Sequence, residues 1–328
     1  MTGLRVLIIG GNGIISAATS RLAIARGFDV TLLNRGLNTR PVIDGARILR
    51  GDASDPVSLS AALGREYFDV VVNFHLFTAV DAHNMLTLFE STAGQFVFIS
   101  SAAGYQKPVM TVPILESTPL RNDVWQYAQD KIAAEHVLMT AYRTHQFPVT
   151  IVRPAHTYDP SLVPLIGGWT MVDRMRRGKP ALVQGDGTSF WTLTDSEDVA
   201  VGIVGLFGQH AALGEAYHIT TSEARSWDYI TYEFGRASGV PDPSIRHVSS
   251  ETIAAALPEW RGPLLGDWQY TEIYDNRKIA AVVPDFAPAV SVSTGIGKIV
   301  AWHDADVARR SIDHALDAKI DALIGVAT

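Results

Sequence analysis

Leu4-Arg5-Val6-Leu7-Ile8-Ile9 followed by Gly10-Gly11-Asn12-Gly13-Ile14-Ile15-Ser16 decides the fold of this chain. The first six residues, mostly branched and apolar, read as a strand buried on both faces, and the glycine-rich turn delivers the chain into a helix. In that order the pattern suits a dinucleotide. Gly10 permits the turn, and Gly13 lets a pyrophosphate approach the first helix amides, those of Ile14 and Ile15, which have no partner within the helix. The usual third glycine is replaced by Ser16, a small residue that can fill the same role. A glycine loop alone is weak evidence, and its setting between a strand and a helix gives it meaning.

Outward from this stretch, short apolar runs alternate with segments of helical periodicity. The expected strands are Leu4 to Ile9, Asp29 to Leu33, Ala46 to Arg50, Val70 to Asn73, Gln95 to Ser100 and Thr150 to Arg153, with helices starting near Ile14, Val57, Ala79 and Gln126. Repeated βαβ order predicts an α/β fold, a Rossmann-type doubly wound parallel sheet, with ligands at the carboxyl ends of the strands where the topology reverses. The helix from Gln126 to about His145 is the clearest, and Phe147-Pro148 is expected to end it. After Arg153-Pro154 the pattern changes. A basic helix is expected from Val172 to Arg177, then Asp195 to Phe207, a strand Ala216 to Ile219, a helix Trp227 to Gly235 and a final helix from Asp304 to about Ile324. The chain therefore divides into residues 1–165, mainly nucleotide-binding, and 166–328, mainly a smaller C-terminal substrate lobe, with segments near 185–220 returning to the scaffold.

The 328 residues carry a net charge of −7 and no cysteine. Disulfides, thiolate metal sites and thiol nucleophiles are excluded, and no broad attraction to nucleic acid or anionic lipid is expected. No run reaches the eighteen apolar residues of a membrane span, so a cytoplasmic protein is the expectation. Ten histidines raise a metal hypothesis, but His75 and His83 are eight apart and His136, His145 and His156 lie in different expected elements, so no metal is expected.

At the end of the second strand an NAD site commonly presents a carboxylate to the adenosine ribose. This chain has Asn34 and Arg35, with Arg40 further on, so a guanidinium is available to a 2'-phosphate. NADP is favoured and NAD remains open, as does a solvated loop arginine. Asp52-Ala53 follows the third strand, where Asp52 meets the adenine edge or caps the helix near Pro56. Asn73-Phe74-His75 follows the fourth and passes beside the cofactor; His75 donates to a substrate or satisfies the loop backbone.

The chemistry lies at Ser100-Ser101 and at Tyr127-Ala128-Gln129-Asp130-Lys131. Tyr127 and Lys131, four apart, project from one helix face. A hydride leaves a carbinol carbon only if the hydroxyl proton leaves too, so a base must sit beside the carbinol and a positive charge beside the base. Tyr127 serves as that base if Lys131 stabilises phenolate, and Ser101 holds the substrate oxygen. A Tyr-to-Lys spacing of four is common on any helix. Its weight comes from standing beside a strand end in a nucleotide-binding sheet.

The ordered set Gly10-Gly11-Asn12-Gly13, Asp52, Phe96 to Tyr105, Tyr127 with Lys131, Arg153-Pro154, and Gly185-Asp186-Gly187 leading to Asp198-Val199-Ala200 resembles the extended branch of the short-chain dehydrogenase/reductase superfamily, of the NAD-dependent epimerase/dehydratase type. The resemblance implies Ser101, Tyr127 and Lys131 as catalytic residues, with Lys131 also on the nicotinamide ribose. It places Pro154, Ala155, His156 and Thr157 along the nicotinamide carboxamide. With Ser100, Ala53, Asn73 and Phe74 these complete the expected cofactor set, and His75, Ser101, Ala102, His156 and Trp191 are expected at the substrate. It also implies a homodimer through helices near 79–92 and 126–145.

Two departures matter. Sugar-nucleotide epimerases commonly carry an arginine for the diphosphate where this chain has Phe190-Trp191-Thr192, so Trp191 stacks on a ring, and Arg174, Arg176 or Arg177 would have to replace that charge. Otherwise Arg174, Arg176, Arg177 and Lys179 form a solvated helix face. Dehydratases add an acidic pair where this chain has Ala102 and Ala103, which disfavours loss of water. The reading is an NAD(P)-dependent oxidoreductase or epimerase for a secondary hydroxyl or keto group of a small, sugar-like or sugar-nucleotide substrate. Leu33-Asn34-Arg35-Gly36 and the Trp191 region also resemble the chloroplast stem-loop-binding branch, which implies an RNA-associated alternative against which the acidic charge and the Tyr127-Lys131 pair speak.

Overall fold

The computed structural model describes residues 3–36 and 43–325. Its main sheet uses β1 (Arg5–Ile9), β2 (Asp29–Asn34), β3 (Arg47–Arg50), β4 (Val70–Asn73), β5 (Phe96–Ile99), β6 (Val149–Pro154) and a late strand, Ala216–Ile219. Between β6 and the late strand lie β7 (His156–Tyr158), β8 (Ala181–Gln184) and β9 (Phe190–Asp195), so the late strand is β10; β11 (Ala224–Ser226) and β12 (Ile245–Val248) follow. The seven parallel strands run in the order β10-β6-β5-β4-β1-β2-β3. The chain order reverses between β1 and β4, and there the crevice opens.

Alternation along β1 shows why the sheet is covered twice. Val6 and Ile8 join a core with Ala17 and Ala23 of α1 (Ile14–Ala25) and Val199 and Ile203 of α6 (Ser196–Gly205). Leu7 and Ile9 join another with Leu59 of α2 (Pro56–Leu63), Met85 and Phe89 of α3 (Ala79–Phe89), and Leu138 of α4 (Gln126–His145). Each fully buried Val, Leu, Ile, Met or Phe among them contributes roughly 1.5–3 kcal/mol. Polar substitution on either face would therefore open one layer.

A third core belongs to the C-terminal lobe. It gathers Met171 and Val172 of α5 (Trp169–Arg176), Trp227, Ile230 and Phe234 of α7 (Trp227–Ala237), Ile253 of α8 (Ser250–Ala256), and the indoles of Trp191 and Trp268. Two small sheets, β11-β9-β7 and β12-β8, support it. These strands were not expected, because four of the five have only three or four residues, too little periodicity to be separated from loop.

The sequence expectations for the first half agree with the structure to within a residue or two. The end of α4 is set by Gln146, which takes a left-handed conformation (φ 57°) and donates its N–H to Tyr142 O before Pro148 is reached. The expected helix from Asp304 to Ile324 is a correction: Asp304 ends one helix, Val292–Asp304, and a second spans His314–Ile324. Asp306 caps a short 3-10 turn and Asp313 accepts from Leu316 N to start the new helix. Side-chain caps here overrule apolar spacing. Among the described residues no helix is long and apolar enough to cross a membrane, and no group of three or more His, Asp or Glu is arranged to hold a metal.

Candidate active site

The glycine turn after β1 is locked by the residue that replaced the third glycine. Gly10 has φ 84°, and Ser16 Oγ donates to Gly10 O at 2.7 Å while accepting from Gly13 N at 2.7 Å. Ser16 thus consumes the Gly13 amide, leaving the amides of Ile14 and Ile15 as the unpaired start of α1. One pocket lies there, lined by Gly10, Asn12, Gly13, Leu33, Asn34, Arg35, Gly36, Gly51, Asp52, Ala53 and His75. Glycine backbone, free helix amides and polar ends of β1 to β4 make a cradle that fits a dinucleotide.

Asp52 accepts from Ser54 N, lies 3.9 Å from Arg35 and faces this pocket; the cap of α2 is Asp55, which accepts from Val57 N. The Asp52 carboxyl is held below its ordinary range, chiefly by the Ser54 amide. His75 is on the nucleotide side, its Nε2 3.0 Å from Ser54 Oγ. Asn73 accepts from His75 N, and Phe74 N donates to Ile9 O, so this loop is tied to β1. Arg50, beside Asn34 in the β2–β3 register, was not expected: its guanidinium fills the space where a Cβ on Gly36 would stand. Arg40 lies outside the described residues.

The candidate catalytic groups lie across the sheet, beyond β5. Ser101 Oγ accepts from Ala103 N, starting the turn Ala102–Gly104, and its side chain interacts with the Tyr127 phenol. Burial raises the Tyr127 phenol above its ordinary pKa; the Ser101 bond opposes this and the nearby Asp267 carboxylate adds to it. One turn along α4, Lys131 Nζ donates to Leu76 O at 2.6 Å, in the loop after β4, and to Ile99 O at 2.9 Å, at the end of β5. Its ammonium lies 4.6 Å from the Phe77 ring and 5.0 Å from that of Phe98. Burial lowers its pKa to about 7, against the opposing charges of Glu135 and Asp81. Ser100 Oγ is buried without a hydrogen-bond partner among the described residues, an orphaned group beside the same strand end.

Two supports were missed in the sequence. Asn122 Oδ1 accepts from Trp125 N at the start of α4, and its Nδ2 donates to Ala103 O at 3.0 Å and Gly266 O at 2.7 Å. One amide thus joins the tyrosine helix, the serine loop and the C-terminal lobe. Glu135, one turn beyond Lys131, takes a two-pronged bond from Arg153 of β6, at 2.9 Å from Nε and 2.6 Å from Nη2. Buried charges of this kind hold only when fully paired, and this pair pins α4 across the sheet. Neither partner was visible as such, because they are joined by tertiary structure.

The lobe closes over this end with the segment Leu264–Trp268. Asp267 pairs with Lys107 at 3.1 Å, and Lys107 also contacts Glu272. Beyond Pro154 and Ala155, His156 starts β7, Thr157 Oγ1 turns back to Ala155 O, and His156 Nδ1 lies 3.1 Å from Trp191 Nε1. Trp191 itself is 2% exposed, stacked on Trp227 at 5.4 Å. Ala102 is buried in the cluster with Tyr105, Ile114 and Tyr274.

Of the four cations after Trp169 only Arg174 leaves the solvated face, and all four are paired with carboxylates. Arg174 is fully buried on Asp317 and Asp321, Arg176 pairs with Asp304, Arg177 with Asp173 and Asp317, and Lys179 with Asp321. Their charges are matched by carboxylates of the lobe, so the expected replacement for a diphosphate-binding arginine is not supplied by this helix.

The sequence profile of the NAD dependent epimerase/dehydratase family matches residues 6–220, more than half of the chain. A 2'-dehydrokanamycin reductase from Streptomyces kanamyceticus is 25% identical over 73% of this chain and 68% of its own length. A chloroplast stem-loop binding protein of 41 kDa from Arabidopsis thaliana is 25% identical over 74% of this chain, which spans 65% of that relative. Among solved structures, a dTDP-glucose 4,6-dehydratase from Bacillus anthracis in complex with NAD superposes with TM-score 0.74 at 17% identity, covering 93% of this chain and 97% of its own.

Proposed function

Because the chain belongs to the NAD dependent epimerase/dehydratase family, of the extended short-chain dehydrogenase/reductase type, we propose that it moves hydride between NADP, in preference to NAD, and a secondary hydroxyl or keto carbon of a sugar-like substrate that carries no nucleotide diphosphate. The observation that carries this reading is the Tyr127 phenol interacting with the Ser101 side chain while the Lys131 ammonium lies 5.9 Å from the Tyr127 ring. A bound nicotinamide would supply or accept the hydride. Ser101 holds the substrate oxygen against Tyr127. The Tyr127 phenol, kept protonated by burial, donates its proton as an alkoxide develops and takes it back in the oxidative direction. Lys131 supplies positive charge beside the phenol once it is protonated.

The raised phenol rests in the protonated form that reduction consumes, and a relative named as a reductase supports that direction. A substrate without diphosphate is favoured by the commitment of Arg174, Arg176 and Arg177 to carboxylates. The NADP preference rests on Arg35, which lines the pocket, and on Arg50, which lies against Gly36 of that lining, since two guanidinium groups suit a 2'-phosphate.

The test follows NADPH consumption against a panel of nucleotide-free keto sugars, beside interconversion of UDP-glucose and UDP-galactose. Turnover of a keto sugar is expected, and activity confined to the UDP-sugars would overturn the substrate assignment. Tyr127→Phe should lower turnover by roughly 10²- to 10⁴-fold, the usual worth of a positioned acid, while NADPH affinity stays unchanged. Undiminished turnover would remove Tyr127 from the chemistry.

A further inference from the structure

Lys107 carries a buried charge that the hydride mechanism does not use. It stands in the loop after the turn Ala102–Gly104, and its ammonium lies 3.1 Å from Asp267 Oδ1 and against Glu272 Oε1, both from the C-terminal lobe. Tyr274 of the same lobe donates its hydroxyl to Glu272 Oε2. One cation therefore meets two carboxylates, all three groups buried, and the help that Glu272 receives comes from a neutral phenol. Among the described residues Asp267 has the shared ammonium alone. The cluster keeps an excess of negative charge at its Asp267 end.

Backbone contacts fix that end beside the candidate acid. Gly266 O accepts from Asn122 Nδ2 at 2.7 Å, and the same nitrogen donates at 3.0 Å to Ala103 O, in the turn that Ser101 starts. A Cβ on Gly266 would stand 2.7 Å from Trp125 Cβ, a close approach to the start of α4 that glycine allows without a shift. The Trp125 ring lies 5.0 Å from the Tyr127 ring. Asp267, next in the chain after Gly266, brings its carboxylate to this place. The Tyr127 phenol is raised chiefly by burial, lowered by the Ser101 side chain and raised again by Asp267. From its own helix it faces Lys131, whose ammonium is 5.9 Å from the ring. Opposite charges from the two halves of the chain thus act on one phenol.

We propose that Asp267 is a positioning residue for the proton at Tyr127: the lobe sets its carboxylate, held and only partly neutralised by Lys107, beside the phenol and so keeps the hydroxyl loaded as a donor. The inference rests on Tyr127 being the acid of the proposed reduction. A carboxylate disfavours phenolate and the Lys131 ammonium favours it, and burial lets both act at strength. Lys131 loses its proton as pH rises through about 7, so above that pH the Asp267 charge is the one that remains. Burial pushes the Asp267 carboxyl above its ordinary range while Lys107 pulls it back, and at the alkaline pH where a phenol titrates it is ionised. Oxidation, which needs phenolate, is thereby moved to alkaline pH.

¹³C spectra of the full chain labelled at tyrosine Cζ, with Tyr127 assigned by its loss in Tyr127→Phe, follow that one phenol as pH is raised. In the parent it is expected to titrate above the ordinary phenol value of about 10. Asp267→Asn, of the same shape, should raise its acid constant by about tenfold, the lower end for the removal of one nearby charge. Glu272→Gln cuts the other arm of the Lys107 cluster, beside Tyr274, and should move the Tyr127 midpoint less than Asp267→Asn does. A parental midpoint at or below the ordinary value, an Asp267→Asn phenol that titrates no earlier than the parental one, or equal shifts in both variants would overturn the proposal, the last by assigning the effect to the packing of the lobe. These titrations need no substrate, so they decide the role of Asp267 whatever the keto-sugar panel returns. With the alcohol of a sugar that the panel identifies, the alkaline rise of kcat/KM for oxidation should move to lower pH in Asp267→Asn by the same factor. An unmoved rise beside a shifted phenol would remove Tyr127 from the chemistry and leave the charge effect of Asp267 standing.

Discussion

The nucleotide-binding half and the C-terminal lobe use arginine in opposite ways. At the pocket rim the Arg35 side chain is 57% exposed and 3.9 Å from Asp52, and Arg50 lies over Gly36 with no ion pair among the described residues. In the lobe, Arg174 has no exposed surface and bonds Asp317, Asp321 and the Pro180 carbonyl. Exposure decides the difference. A solvated guanidinium gives little to stability and is free to meet a ligand, whereas a buried one must be matched group by group or it unfolds its surroundings. Clusters that look alike in the sequence therefore carry a candidate phosphate contact in one place and the docking of helix His314–Ile324 onto α5 in the other.

Removing a lobe carboxylate should give the larger effect. Asp317→Ala is expected to cost about 3 kcal/mol in urea unfolding, the lower end for breaking a buried pair because Asp321 still faces Arg174. Cofactor affinity should not change. The Asp317 pKa is held below its ordinary value: burial pushes it up, but bonds from Arg174 and Arg177 prevail. A depressed carboxylate stabilises above its unfolded pKa, near 4, and that contribution disappears as pH falls through the lower folded value. The variant should accordingly lose less stability on acidification than the parent does. A cost under about 1 kcal/mol would mean the pair behaves as a surface one, and the contrast between the two regions would fail.

At the pocket rim the same kind of change should leave stability alone. Arg35→Ala and Arg50→Ala are each expected to weaken NADP binding by about tenfold, a little over 1 kcal/mol for a charge-assisted contact in a solvated pocket. NAD affinity and the melting temperature should stay at parental values. Equal losses for NAD and NADP, measured by calorimetric titration, would assign these arginines to the pocket's shape and withdraw the 2'-phosphate reading.

The two regions were also unequally legible. Strand β4 and helix α4 could be read to the residue because Val70-Val71-Val72 has one use, and because the spacing of Ile132, Val137, Leu138 and Ala141 is helical. Local pattern also placed Gly10, Asp52 and His75 in one pocket, since in a doubly wound sheet consecutive strand ends are neighbours. The lobe offered no such rule. Asp267 reaches the neighbourhood of Tyr127 from 140 positions further along, and Asn122 meets Gly266 through a tertiary fold that no spacing encodes. Trp191 was read as a stacking surface because indole is usually valued for its face, and its burial left only the N–H in play. Arg174 looked solvated because its partners, Asp317 and Asp321, lie in a helix whose start the apolar pattern had blurred.

The smallest expected effect concerns the group between the two regions. Lys131 is bonded to the carbonyls of Leu76 and Ile99, and burial holds its pKa near 7 despite Glu135 and Asp81. A lysine bound to ribose hydroxyls donates best as ammonium, so the protonated form is the one that should bind cofactor. Below pH 7 that form dominates and affinity is at its full value; as pH rises through 7 the protein must first take up a proton, and affinity falls. The dissociation constant for NAD should grow about fivefold between pH 7 and 8, the slope of one proton linked to binding. NAD is the suitable probe because it lacks the titrating 2'-phosphate. In Lys131→Met the profile should be flat, at the weak level the parent approaches in alkali. A flat parental profile would mean that the ammonium keeps its proton well above pH 7 in the cleft. Lys131 would then arrive charged at the phenol, and the cofactor half would govern the reaction without any help from pH.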